Sequence, residues 1–163
     1  MEIKEGKNMK VFGKYGLGNI LKILLQIVFI FGISILIIFP IIISNTNISI
    51  NPNIILFYPN AICLLLIIYQ FVGLFNSLKE ENPFCKNTVK RLKASQKISA
   101  VASVFWLFDF VFETFIVKNT SILVIIVLLF MFILFIGVTI ALYILSELFN
   151  KAIEYKNEND LTI

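Results

Sequence analysis

Two acids inside an oily run are the residues best placed to do chemistry. Asp109 and Glu113 lie within a block that is otherwise apolar from Ile98 to Val117. Four residues apart, they share one face of a helix. A charged Asp at mid-bilayer costs about 2.5–3.5 kcal/mol on insertion scales. Such residues therefore face inward, pair, or line a wet cavity. No Lys or Arg falls at their depth in any other apolar block. Counting turns from the loops sets Asp109 level with Ser34 and Cys63, and Glu113 level with Tyr58 and Asn60. The expectation is a polar cluster of Ser34, Tyr58, Asn60, Asp109 and Glu113 in the outer half of the membrane. Two readings of it stand side by side. In one, Asp109 is a hydrogen-bonded acid, Glu113 reaches outer water, and neither binds anything. In the other, the pair receives a proton, a cation or a cationic peptide.

Other chemistry is scarce. The chain has no His, which removes the commonest metal ligand and the usual base near neutral pH. Its two cysteines, Cys63 and Cys85, stand alone with no C-x-x-C spacing, so neither a disulfide framework nor a zinc site is expected. Gly13, Gly16 and Gly18 follow no strand and lack the spacing of a dinucleotide turn. No cofactor is implied, and an enzyme is the class the residues support least.

A second group of residues can bind rather than react. Asn76 to Lys97, NSLKEENPFCKNTVKRLKASQK, is a long polar, basic interruption. Asn82-Pro83 breaks the preceding helix, because Pro cannot donate a backbone hydrogen bond and restricts the residue before it. From about Lys86 the pattern reads as a basic amphipathic helix running into the third apolar block. Lys86, Lys90, Arg91, Lys93 and Lys97 are the candidate contacts for a cytoplasmic partner or for anionic headgroups. The plainer alternative is that they only set the topology. Direct nucleic-acid binding is not expected from so short a run without interleaved aromatics.

The elements that hold these residues follow from composition. Of 163 residues, 59% are hydrophobic and 15% charged. A soluble domain carries roughly 25% charged residues, so this chain lacks the polar surface to fold in water. Four apolar blocks stand out, at about 20–43, 54–75, 98–117 and 122–145. Each meets the roughly 20 residues a helix needs to cross the hydrocarbon core. In lipid every backbone N–H must be satisfied within its own segment, which leaves helix as the structure for such runs. The first block is too long for a signal-peptide core and reads as an uncleaved spanning helix. The expected fold is all-α: one integral membrane domain, an antiparallel bundle of four transmembrane helices, with the third extended into the cytoplasm.

Orientation comes from Lys and Arg in the short loops. The lead from Lys4 to Lys14, the basic stretch, and Lys151 and Lys156 fall on one side, against Lys118 on the other. Both termini, the 76–97 loop and the 146–163 tail are thus expected in the cytoplasm. Ser99 and Ser103, and Gly137 and Ala141, recur every four residues and are expected to let helices three and four approach closely. Folding the hairpin at Asn119-Thr120 sets Ser103 against Gly137 and Ser99 against Ala141. Trp106 is too deep for an interface anchor and is expected in the core or facing lipid.

The segment NPFCKNTVKRLKASQKISA, the two apolar helices after it and the closing ENDLTI resemble the YoaS-like family of small bacterial four-helix membrane proteins of unknown function. The likeness covers the whole layout and is specific at Asn82, Pro83, Phe84, Val89, Arg91 and Leu92, and again from Glu158 to Ile163. Cys85 stands where a small hydroxyl residue is usual. The resemblance implies a multi-pass protein of the bacterial cell membrane, often encoded beside a Cro/CI-like helix-turn-helix regulator. Two function classes follow. One is a regulatory membrane protein acting on that cytoplasmic regulator. The other is a self-immunity or export accessory protein against a membrane-active peptide. A two-halved transporter is less favoured, since no spanning helix is convincingly broken by Gly or Pro.

Overall fold

The apolar runs have one way to satisfy their backbone in lipid, and each forms a helix. In the computed structural model, which describes residues 17–45, 52–79, 86–117 and 120–160, these are α1 (Leu17–Asn45), α2 (Pro52–Lys79), α3 (Lys86–Phe115) and α4 (Ile122–Asp160). All four are long and apolar enough to cross a membrane. Pro52 opens α2, where its missing N–H is not needed. Pro40 and Pro59 sit inside α1 and α2. The Ser121 hydroxyl accepts the Leu123 N–H at 3.4 Å and caps α4.

Hydropathy marks where lipid ends, not where a helix ends. The basic stretch continues directly into the third apolar block, so α3 is one helix of 30 residues, about 45 Å at 1.5 Å per residue. The polar segment after Leu145 is helical as well, and α4 runs 39 residues to Asp160. Both exceed the roughly 30 Å hydrocarbon thickness. Ser146 and Ile153, beyond the apolar part of α4, are buried.

The helices contact one another as a series. α1 packs on α2, α2 on α3 and α3 on α4, and among the described residues no contact closes the series between α1 and α4. α3 therefore occupies the middle of a three-helix unit, while α1 leans on α2 alone. The buried line of α3 runs Thr88, Leu92, Ser95, Ser99, Ala102, Trp106, Asp109 and Glu113, a spacing of three and four residues that keeps one face on its neighbours. Cys63 and Ile67 from α2, Ala102 and Trp106 from α3, and Phe135 from α4 form the apolar core.

The small residues work differently from the sequence expectation. Ser99 and Ser103 are buried as foreseen, but Gly137 and Ala141 are not packed against them. A Cβ added at Gly137 would meet nothing within 4 Å, and Ala141 is exposed. Ser99 instead donates to the Phe135 carbonyl at 3.2 Å, and Ser103 to its own Ala100 carbonyl at 2.7 Å. The seam is small against large: Ser99, Ala102 and Ser103 make room for the Phe135 ring. Trp106 belongs to this core, its ring centroid 6.2 Å from that of Phe135.

Candidate functional site

Both acids of α3 are buried, Asp109 at 6% exposure and Glu113 at 7%. They lie on the seam because they continue the same three-four periodicity that buries Ala102 and Trp106. Each has one side-chain hydrogen-bond partner among the described residues. Asn60 Nδ2, from α2, donates to Asp109 Oδ2 at 2.6 Å. The Thr120 hydroxyl, just before α4, donates to Glu113 Oε2 at 2.7 Å. The first bond joins α2 to α3. The second ties the end of α3 to the start of α4.

Asn60 thus meets Asp109 rather than Glu113, one helical turn from the expected level. Turn counting places residues only to about a turn, since helix tilt changes depth without leaving a mark in sequence. Ser34 and Tyr58 do not complete the cluster. Ser34 donates back to the Ile30 carbonyl of its own helix at 3.0 Å. α1 does not reach α3, so a residue on α1 has no route to the acids. Tyr58 packs its ring on Phe39, with centroids 6.4 Å apart, and its buried hydroxyl has no partner. Asn60 Oδ1 is likewise buried and unpartnered. Two carboxyls one turn apart, each with one hydrogen-bond donor among the described residues, can accept further donors. Among the described residues, no group of three His, Cys, Asp or Glu side chains gathers to hold a metal.

Beside Asn60 lies an apolar cavity of about 390 Å³ walled by α1, α2, α4 and Trp106 of α3. Gly32, Leu65, Phe57, Trp106, Leu134 and Phe135 contribute to its walls. It exists because α1 and α4 do not meet, and it was not foreseen from sequence.

The basic end of α3 divides into two faces. Arg91 points into the seam with α2, where its guanidinium lies directly over Gly73, so a Cβ there would run into it. Its Nη1 is 3.5 Å from Gln70 Oε1, and its Nε is buried without a partner. Asn87 approaches Ser77 at 3.5 Å one turn further along the same seam. Gly73 makes room for the only arginine of the chain. On the other face, Lys86, Lys90, Lys93 and Lys97 line a groove of about 460 Å³ with Asn150 of α4. Lys93 Nζ lies 3.5 Å from Glu147 Oε1. Of the five cations expected to meet a partner, Arg91 is turned inward and Lys93 has an internal acid beside it.

Residues 42–163 match the family described as protein of unknown function (DUF2975), and the chain belongs to that family. The match takes in α2, α3 and α4 whole and leaves most of α1 outside, the division that the helix contacts also draw. No curated protein and no solved structure matches the chain.

Proposed function

We propose that this DUF2975 protein is a regulatory, non-enzymatic protein of the bacterial cell membrane. In this reading its four helices are antiparallel spans, both termini are cytoplasmic, and the basic end of α3 projects into the cytoplasm. Order of contact supports the antiparallel arrangement: Ser77 neighbours Asn87, Gln70 neighbours Arg91, and Asn60 meets Asp109, so residue numbers fall on α2 as they rise on α3. The Lys-rich segments at one end of the spans support the orientation.

The observation that carries the functional reading is the continuity of α3. One unbroken helix bears the Asp109–Glu113 pair towards one end and the lysines at the other. A proton, cation or cationic peptide that changed the Asn60–Asp109 contact would alter the seat of a rigid rod. The cytoplasmic end of that rod carries Lys86, Lys90 and Lys97, which form no ion pair among the described residues. The resemblance of the Asn82–Leu92 segment to YoaS-like proteins points to a helix-turn-helix regulator as the partner. Pull-down of the neighbouring regulator with the unaltered protein and with Lys86→Glu/Lys90→Glu/Lys97→Glu tests this. Capture by the first and loss in the second is expected. Capture by neither, or equally by both, overturns the reading.

A second reading, self-immunity against a membrane-active peptide, is favoured by the apolar cavity between α1, α2 and α4. It requires protection of a sensitive strain with no cytoplasmic partner present.

A further inference from the structure

We propose that the groove between the basic end of α3 and α4 binds the phosphate headgroup of an anionic phospholipid. Lys86, Lys90, Lys93 and Lys97 are spaced four, three and four residues apart, so their ammonium groups share one face. Asn150 closes the groove from α4, and Val89 and Ala94 supply apolar wall. Its volume, about 460 Å³, lies in the range of small-ligand sites.

Charge selects an anion. Glu147 beside Lys93 is the one carboxylate in an ion pair with these lysines among the described residues, leaving three ammoniums uncompensated. Glu154, which accepts from Asn150 Nδ2 at 3.1 Å, lies on the exposed side of α4. α3 begins at Lys86 with no acid in its first turn, so the positive end of the helix adds to the same field. Arg91 takes no part, because it faces Gly73 in the other seam.

Position selects a lipid over a soluble partner. The apolar run of α3 starts at Ile98, next to Lys97, and that of α4 ends near Leu145, a little more than one turn before Asn150. The groove therefore opens on the polar side of the boundary where hydrocarbon gives way to headgroups, with Lys97 next to that boundary. A phosphodiester can sit among the lysines there with its glycerol towards Ile98 and its headgroup towards Ala94 and Val89. The inference does not need the regulator, and its test contains none.

Full-length protein in phosphatidylcholine nanodiscs is titrated with phosphatidylglycerol, and bound lipid is counted by native mass spectrometry. Each cation near an anionic surface contributes about fivefold in affinity. Lys86→Gln/Lys90→Gln/Lys97→Gln is expected to weaken phosphatidylglycerol binding about a hundredfold, with phosphatidylcholine unchanged. Lys90→Gln alone, at an exposed position that leaves the fold intact, is expected to lose about fivefold. Lys4→Gln/Lys7→Gln/Lys10→Gln removes the same formal charge elsewhere and is expected to leave binding as it is. Equal loss in that control reduces the effect to general attraction and overturns the site. Displacement of the lipid by millimolar inorganic phosphate would assign the groove to a free anion. Displacement by a polyglutamate peptide would assign it to a protein partner.

Discussion

Replacing Asn60 by Leu should cost more than replacing the acid it serves. Asn60 is 2% exposed and Asp109 6%, and the 2.6 Å bond between them is the polar link between α2 and α3 at that level. Asn60→Leu keeps the volume roughly constant but leaves Asp109 buried without its donor, a loss of about 1–3 kcal/mol. Side-chain hydrogen bonds between membrane helices average about 0.6 kcal/mol, with a maximum near 1.7. Because both partners are buried, the bond is set towards the upper figure, about 1.5 kcal/mol. Asp109→Leu also breaks the bond, but a leucine is favoured over an acid in an apolar setting, which offsets the orphaned Asn60. We expect about 2 kcal/mol of destabilisation from Asn60→Leu and under about 1 from Asp109→Leu. In the Asp109→Leu background, Asn60→Leu should then be neutral or stabilising, because the orphaned amide is removed. Reversible unfolding by dodecyl sulfate in mixed micelles measures all four proteins. The emission of Trp106, the one tryptophan, reports the seam directly, because it lies one turn from Asp109 on the same buried face. A coupling below about 0.3 kcal/mol would mean that the bond holds nothing together, and the reasoning fails.

Three further outcomes separate the structure from the pattern of small residues. Gly137→Ala should be neutral or stabilising by up to about 1 kcal/mol, while Ser99→Leu should cost about 1–3 kcal/mol through overpacking at a fully buried site; the same denaturation midpoints decide, and loss at Gly137 contradicts the exposed face. Gly73→Leu should drive the Arg91 guanidinium out of the seam, raising severalfold the phenylglyoxal reactivity of this sole arginine; unchanged reactivity argues against its lodging there. Lys90→Cys, in a background with Cys63 and Cys85 replaced by Ser, should react with an impermeant maleimide only when the cytoplasmic face is exposed; labelling from outside intact cells reverses the proposed topology.

The spans and the continuity of α3 were legible because hydropathy and the three-four pattern are local. The run Thr88, Leu92, Ser95, Ser99, Ala102, Trp106, Asp109, Glu113 can be read by eye once the helix is granted. Which residues of a neighbouring helix this face meets is not local. Small residues every four positions mark α4 at Gly137 and Ala141, yet the protein turns that side away and buries Phe135, Leu142 and Ser146. In lipid, apolar side chains gain little from one another that hydrocarbon does not also supply, so an oily helix carries no strong signal for its inner face. Depth failed for a related reason. Turn counting sets Asn60 beside Glu113, one turn from its true partner Asp109, and equal depth does not bring Ser34 near the acids because α1 lies off α3 among the described residues. The position of Arg91 left a faint trace: a glycine, Gly73, within an otherwise bulky stretch of α2, at the place where a guanidinium needs room.

The order of contacts decides where a local change can travel. Among the described residues α1 packs on α2 alone, and a ligand in the cavity beside it would meet Trp106 of α3 directly. α3 is held to α2 along the seam, by Asn60 on Asp109, by the apolar core of Cys63, Ile67, Ala102 and Trp106, and by Gly73 under Arg91. It is held to α4 by Ser99 on the Phe135 carbonyl and Lys93 beside Glu147, with Thr120 fixing the turn. A helix held at both ends on both sides does not bend easily between them. A ligand can shift such an assembly only by the difference in its affinity for two arrangements. Breaking the Asn60–Asp109 contact removes one polar link to α2 and leaves the apolar core, the Gly73–Arg91 contact and the α4 contacts in place. The lysine groove is lined wholly by α3 and α4, so its shape does not depend on that link.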